Sequence, residues 1–136
     1  MWHVVAMASA RKPPRPICVL VVEDIAEIRE AMLETLQNAG YETEAAADAA
    51  SALALMRRDP PPDLLFTDIV LGRGLNGYEL AHRAAALKPD LKVIYTTGYA
   101  FKAQETQSAL PGSRMLLKPY RMGEVLQEIK QLLAGA

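Results

Sequence analysis

Cysteine is almost missing from this sequence: Cys18 is the only one in 136 residues. No disulfide can form within the chain, and a thiolate metal centre is excluded. Cys18 lies inside the apolar run Ile17–Val22 and reads as a packed strand residue. That run is the longest apolar stretch and falls far short of the ~20 residues that cross a bilayer. Met1–Ala10 has neither a cationic start nor a full hydrophobic segment, so it does not read as a signal peptide. The expected location is cytoplasmic, with no membrane contact. Charge of one sign is also lacking: 15 Lys and Arg face 16 Asp and Glu, for a net charge of −1. Such a balance offers no basic patch and argues against a nucleic-acid partner. Of the two histidines, His3 sits in the leading tail and His82 in a helical stretch, and neither makes a metal-ligand pattern.

What the chain does have is alternation. Apolar runs at Ile17–Val22, Tyr41–Ala46, Asp63–Thr67, Leu91–Thr96 and Arg114–Leu117 predict five strands. Between and after them, helical stretches are predicted. Ile25, Ile28, Met32, Leu36 and Ala39 recur at helical spacing and stop at Gly40. Asp48 caps a short helix, and Asn76 with Glu79 starts the helix Gly77–Leu87 with a capping box. Phe101–Leu110 reads as a polar, poorly periodic helix. Met122, Val125, Leu126, Ile129, Leu132 and Leu133 line one face of the last. Strands such as Cys18–Val22 and Leu64–Phe66 are apolar without alternation, as parallel strands covered on both faces are. The fold class is α/β: a three-layer, doubly wound (βα)5 sandwich on a five-stranded parallel sheet. Arg11–Pro16 is proline-rich and extended, which divides the chain into an N-terminal extension over 1–15 and one domain over 16–134.

Polar residues gather just past the strands: Glu23 and Asp24, Asp68, Thr97 and Lys118. In one parallel sheet they share the carboxyl edge, where open α/β folds bind ligands. Each has a plain structural explanation alone. Asp24 with Glu27 forms a capping box, Thr97 is a strand threonine, and Lys118-Pro119 is a strand end with a turn. Jointly they are harder to dismiss. Crowded carboxylates repel by roughly 4 kcal/mol per pair at ~4 Å and an effective dielectric near 20. Hard oxygen donors without His or Cys point to Mg2+, and Asp68 becomes a candidate nucleophile toward a phosphoryl group that Lys118 and Thr97 would hold.

The segments Val19–Asp24, Thr67–Leu71, Tyr95–Tyr99 and Leu116–Tyr120 together resemble the receiver domain of bacterial two-component response regulators. The resemblance covers about residues 16–134, with the motifs in order and in register. It implies the flavodoxin-like strand order 2-1-3-4-5. It further implies that Asp68 accepts a phosphoryl group from a phosphohistidine on a sensor histidine kinase or phosphotransfer protein. Glu23, Asp24, Asp68 and the Val70 backbone carbonyl would hold Mg2+, Lys118 would pair with phosphoryl oxygens, and Pro119 would follow a cis bond. Thr97 would relay the modification to the face of the fourth helix, fifth strand and last helix, with Met115, Tyr99 and Tyr120 beside it. That face would serve an output protein or a homodimer. Such a domain catalyses only its own phosphorylation and dephosphorylation.

The sequence departs from the family at two places. Met115 stands where an aromatic often precedes the lysine, and Gly72 where a proline often follows the aspartate. The loop Gly72–Gly77 and the Thr96–Ala100 segment look more like single-domain regulators and detached receivers of hybrid kinases. A stand-alone receiver, signalling through protein contacts, is expected. An exposed docking face on the first helix would comprise Ile25, Ile28 and Met32, which could equally be core. Three other readings compete. A metal-dependent phosphohydrolase wants a second acid where Val70 stands. A flavin-binding relative wants a phosphate-cradling loop where Glu23-Asp24 stands. The third is a pseudo-receiver that binds partners without phosphorylation.

Overall fold

Four apolar runs and the mixed segment Glu42–Ala46 become the strands of one sheet. In the computed structural model, which describes residues 15–72, 74–98 and 108–135, β1 spans Cys18–Val22, β2 Glu42–Ala46, β3 Leu64–Asp68, β4 Lys92–Thr97 and β5 Arg114–Leu117. The helices are α1 (Ala26–Asn38), α2 (Ala49–Met56), α3 (Gly77–Leu87) and α4 (Met122–Ala134). All pairings are parallel and the order is β2-β1-β3-β4-β5. The expected α/β architecture and order therefore hold, with four helices among the described residues. Most of the helix expected over Phe101–Leu110 lies outside those residues, as do Tyr99 and His3. Ser108–Leu110 form a turn rather than its last residues.

Alternate residues of β1, β3 and β4 feed two cores. Leu20, Val22, Leu65, Val93 and Tyr95 pack against α2 and α3, whereas Val19, Val21, Leu64, Phe66 and Ile94 pack against α1 and α4. Both faces are covered, so the strands need no polar side. The apolar stripe predicted on α1 is only half a core face. Met32 and Leu36 are buried, but Ile25 and Ile28 are 46% and 37% exposed. Met32, conversely, does not belong to an exposed docking face.

Capping follows the sequence at two helices and not at a third. Asp48 accepts from the Ser51 N–H at 2.7 Å. Asn76 accepts from the Glu79 N–H at 2.9 Å while Glu79 accepts from the Asn76 N–H at 3.0 Å, closing the box. Replacing Asn76 with Ala is expected to cost about 1 kcal/mol, read as a lower urea midpoint at unchanged slope. At α1 the N-cap is Ile25, with no side-chain cap bond. Asp24 is therefore not spent on capping.

The amino edge of the sheet is pinned by Asp63, whose N–H donates to the Cys18 carbonyl and whose Oδ2 accepts from the Cys18 N–H, both at 2.9 Å. Burial first, and then Glu44, Asp63 and Glu42, push the Cys18 thiol up to about 11 from an ordinary value of 9.0. The unfolded chain releases this proton first, so the pH interval between those values favours unfolding. At pH 8 Cys18 is expected to react with a disulfide reagent about 100-fold more slowly when folded than in denaturant.

Candidate functional site at the carboxyl edge

All five strands run parallel, so every strand end falls on the same side of the sheet. Asp68 and Thr97 are the last residues of β3 and β4, one position earlier than expected, while Glu23 and Lys118 directly follow β1 and β5. Glu23 is 5% exposed. Its N–H donates to the Ala46 carbonyl at 3.1 Å, and its Oε2 accepts from the Asp24 N–H at 3.1 Å. Its Oε1 is buried with no hydrogen-bond partner among the described residues. Burial pushes the Glu23 carboxyl above its ordinary value; Lys118 opposes this, and Asp68 and Asp24 add to it.

Lys118 Nζ donates to Asp68 Oδ2 at 2.7 Å, and the Lys118 N–H donates to the Thr97 carbonyl at 2.8 Å. The Lys118–Pro119 peptide is cis. Burial alone would lower the Lys118 ammonium, but the hydrogen bond and charge of Asp68, with Glu23, outweigh it and raise the value. Thr97 is buried. Asp24 is exposed, and its Oδ2 lies 3.9 Å from the point a Cβ on Gly72 would occupy. Val70, on the loop leaving β3, is 55% exposed.

The structure thus brings Glu23, Asp24, Asp68, Thr97 and Lys118 to one edge. It does not converge the carboxylates on one point. Among the described residues, no group of three His, Cys, Asp or Glu side chains is placed to hold a metal ion. The ammonium of Lys118 occupies one oxygen of Asp68, and Asp24 faces solvent. A cavity of about 10 Å³, bounded by Glu23, Ile28, Phe66, Asp68 and Tyr120, adjoins the site and has room for about one water.

Of the residues expected at the relay, Met115 is half-buried on β5 and pairs in register with Tyr95. Tyr120 is half-buried and meets Phe66 edge-on, centroids 6.2 Å apart. Two residues that the sequence did not single out matter here. Tyr95 is fully buried; its ring lies 5.0 Å from that of Tyr78 and its hydroxyl accepts from the Leu110 N–H at 3.2 Å. It ties β4 to the turn before β5. Arg29, in the first turns of α1, donates from Nη1 to the Glu23 carbonyl at 2.7 Å. No periodicity marks that contact, because it runs back across the start of the helix.

Known proteins are similar to this chain in sequence and fold. The sequence profile of the response regulator receiver domain matches residues 19–130. The response regulator receiver protein CpdR of Brucella abortus is 34% identical over 119 residues, spanning 87% of this chain and 98% of that protein. The response regulator MprA of Mycolicibacterium vanbaalenii is 29% identical, and the match spans 51% of its length. Among solved structures, a receiver protein from Sinorhizobium medicae superposes with a TM-score of 0.81 at 26% identity, covering 88% of this chain and 96% of that one. A CheY-like receiver domain from Methanospirillum hungatei gives 0.79 at 29% identity, covering 89% and 96%.

Proposed function

We propose, since this chain belongs to the response regulator receiver family, that Asp68 is a phospho-acceptor charged from a phosphohistidine of a sensor kinase or phosphotransfer protein. The observation that carries this reading is the 2.7 Å contact between Lys118 Nζ and Asp68 Oδ2 at the carboxyl edge. It sets a cation beside a half-buried carboxylate at the edge where ligands bind, which suits attack on an incoming phosphorus atom.

The donor set fits Mg2+. Every candidate ligand is a hard oxygen, and the orphaned, buried Oε1 of Glu23 is the kind of atom a cation relieves. Few carboxylates are needed, because Mg2+ keeps several of its waters. Glu23, Asp24, Asp68 and the Val70 carbonyl would hold it, and when bound it would neutralise charge on the transferring oxygens. Asp68 then attacks phosphorus in line. The O–P bond forms as the P–N bond to imidazole breaks, and the imidazole nitrogen leaves with the electron pair. Lys118 shifts from the carboxylate to a phosphoryl oxygen, and the Thr97 hydroxyl donates to another. Output proceeds through protein contacts in the cytoplasm, and no external substrate is turned over. Among the described residues, no helix is long and apolar enough to cross a membrane.

The test is incubation with acetyl phosphate and Mg2+, followed by intact mass and borohydride trapping. One added phosphoryl group, recovered as homoserine at position 68 after reduction, is expected. Absence of that gain would leave a partner-binding module that works without phosphorylation.

A further inference from the structure

The segment that carries Glu23 and Asp24 leads into a helix with no side-chain cap. That helix starts at Ile25, and Asp24 bonds neither to it nor to a cation among the described residues. Glu23, by contrast, is held on three sides. Its N–H is bonded to β2, its Oε2 to the next peptide, and its carbonyl to the Arg29 guanidinium at 2.7 Å. Arg29 is half-buried, and it is a charged donor bridging the helix to the strand end it leaves. Releasing that carbonyl frees the Glu23–Asp24 peptide to rotate, which swings the Asp24 side chain and unseats the bond from its N–H to Glu23.

We infer that Arg29 is a positioning residue for the acidic pair, orienting Glu23 and Asp24 toward a divalent cation through the Glu23 carbonyl rather than by touching either carboxylate. This rests on the receiver reading above. Groups that orient metal ligands without binding the metal typically govern 10–100-fold in affinity. The sign of the effect separates positioning from charge. A guanidinium acting only as a nearby charge repels Mg2+, so its removal would tighten binding. Removal of a positioning group loosens it.

The experiment is calorimetric titration of the unphosphorylated full chain with Mg2+ for wild type, Arg29→Gln, Arg29→Lys and the exposed control Arg57→Gln. Arg29→Gln is expected to bind Mg2+ about tenfold more weakly. Arg29→Lys should recover part of the loss, since an ammonium still donates one charged hydrogen bond. Arg57→Gln should match wild type. Acetyl phosphate labelling across a Mg2+ series supplies the second readout. Arg29→Gln should need more Mg2+ for half-maximal rate yet reach the wild-type rate at saturation, which a misfolded site would not do. Equal or tighter Mg2+ binding by Arg29→Gln overturns the inference, as does a saturated rate that stays low. If wild type itself shows no Asp68-dependent labelling, the receiver reading fails, and the positioning role with it.

Discussion

Asp68→Asn is expected to abolish labelling by acetyl phosphate while leaving the fold as stable as wild type or more so. The chemistry and the stability move in opposite directions for one reason. An amide oxygen is too weak a nucleophile to form an acyl phosphate, so the added mass should vanish. Yet the asparagine oxygen can still accept from Lys118, whose hydrogen bond to Asp68 is 2.7 Å in the native chain. What disappears is a negative charge that pushes the buried Glu23 carboxyl upward after burial itself. Without Mg2+, Lys118 opposes that repulsion in wild type, and it remains in place in the variant. Melting in chelator should therefore show an equal or higher midpoint for the variant, within about 1 kcal/mol. Added Mg2+ should raise the wild-type midpoint more than that of the variant, because a ligand that binds only the folded state stabilises by mass action. A variant that loses labelling and also unfolds would mean that Asp68 acts as a structural partner of Lys118.

Much of this site was legible because strand ends are legible. The runs leading to Glu23, Asp68, Thr97 and Lys118 are apolar enough to mark where the sheet stops, and parallel topology then gathers them. The strand order itself was not in the periodicity and came from the family resemblance. Burial at the edge was not legible either. Glu23 and Asp24 are adjacent carboxylates in the sequence, but one is 5% exposed and the other faces solvent, a difference that no spacing encodes. Ile25 and Ile28 satisfy helical spacing and still stay well exposed, since spacing reports a face but not how deeply that face is buried. Arg29 and Tyr95 escaped for a related reason. Each works through one backbone group of another element, and no spacing rule encodes such a contact.

Gly77→Ala is expected to be the most damaging single-methyl change in the chain, costing about 3 kcal/mol of stability. The glycine is not there for a left-handed backbone; among the described residues, positive φ is confined to Gly40, Gly72, Gly74 and Gly112. It is there for close approach. A Cβ at position 77 would stand 2.3 Å from the Asp68 carbonyl oxygen and 2.8 Å from the Ile69 Cα. Both are backbone atoms at the end of a buried strand, so neither can swing aside as a long side chain would. The N-terminus of α3 must lift instead, stretching the 2.7 Å bond from the Gly77 N–H to the Ile69 carbonyl. That movement pulls on Ile69, the chain neighbour of the proposed acceptor Asp68, and misplacing a reacting group by ~1 Å can cost on the order of 100-fold in rate. Gly123→Ala is the matched control. Its Cβ would meet nothing within 4 Å, and the position lies inside α4, where alanine is the better helix former. Denaturant unfolding and acetyl phosphate labelling on both variants would decide the matter. Gly77→Ala should lose on both measures, whereas Gly123→Ala should hold its rate and gain up to about 1 kcal/mol. Equal stability of the two would mean that α3 can slide along β3 without disturbing Asp68, and that this glycine does not set the position of the site.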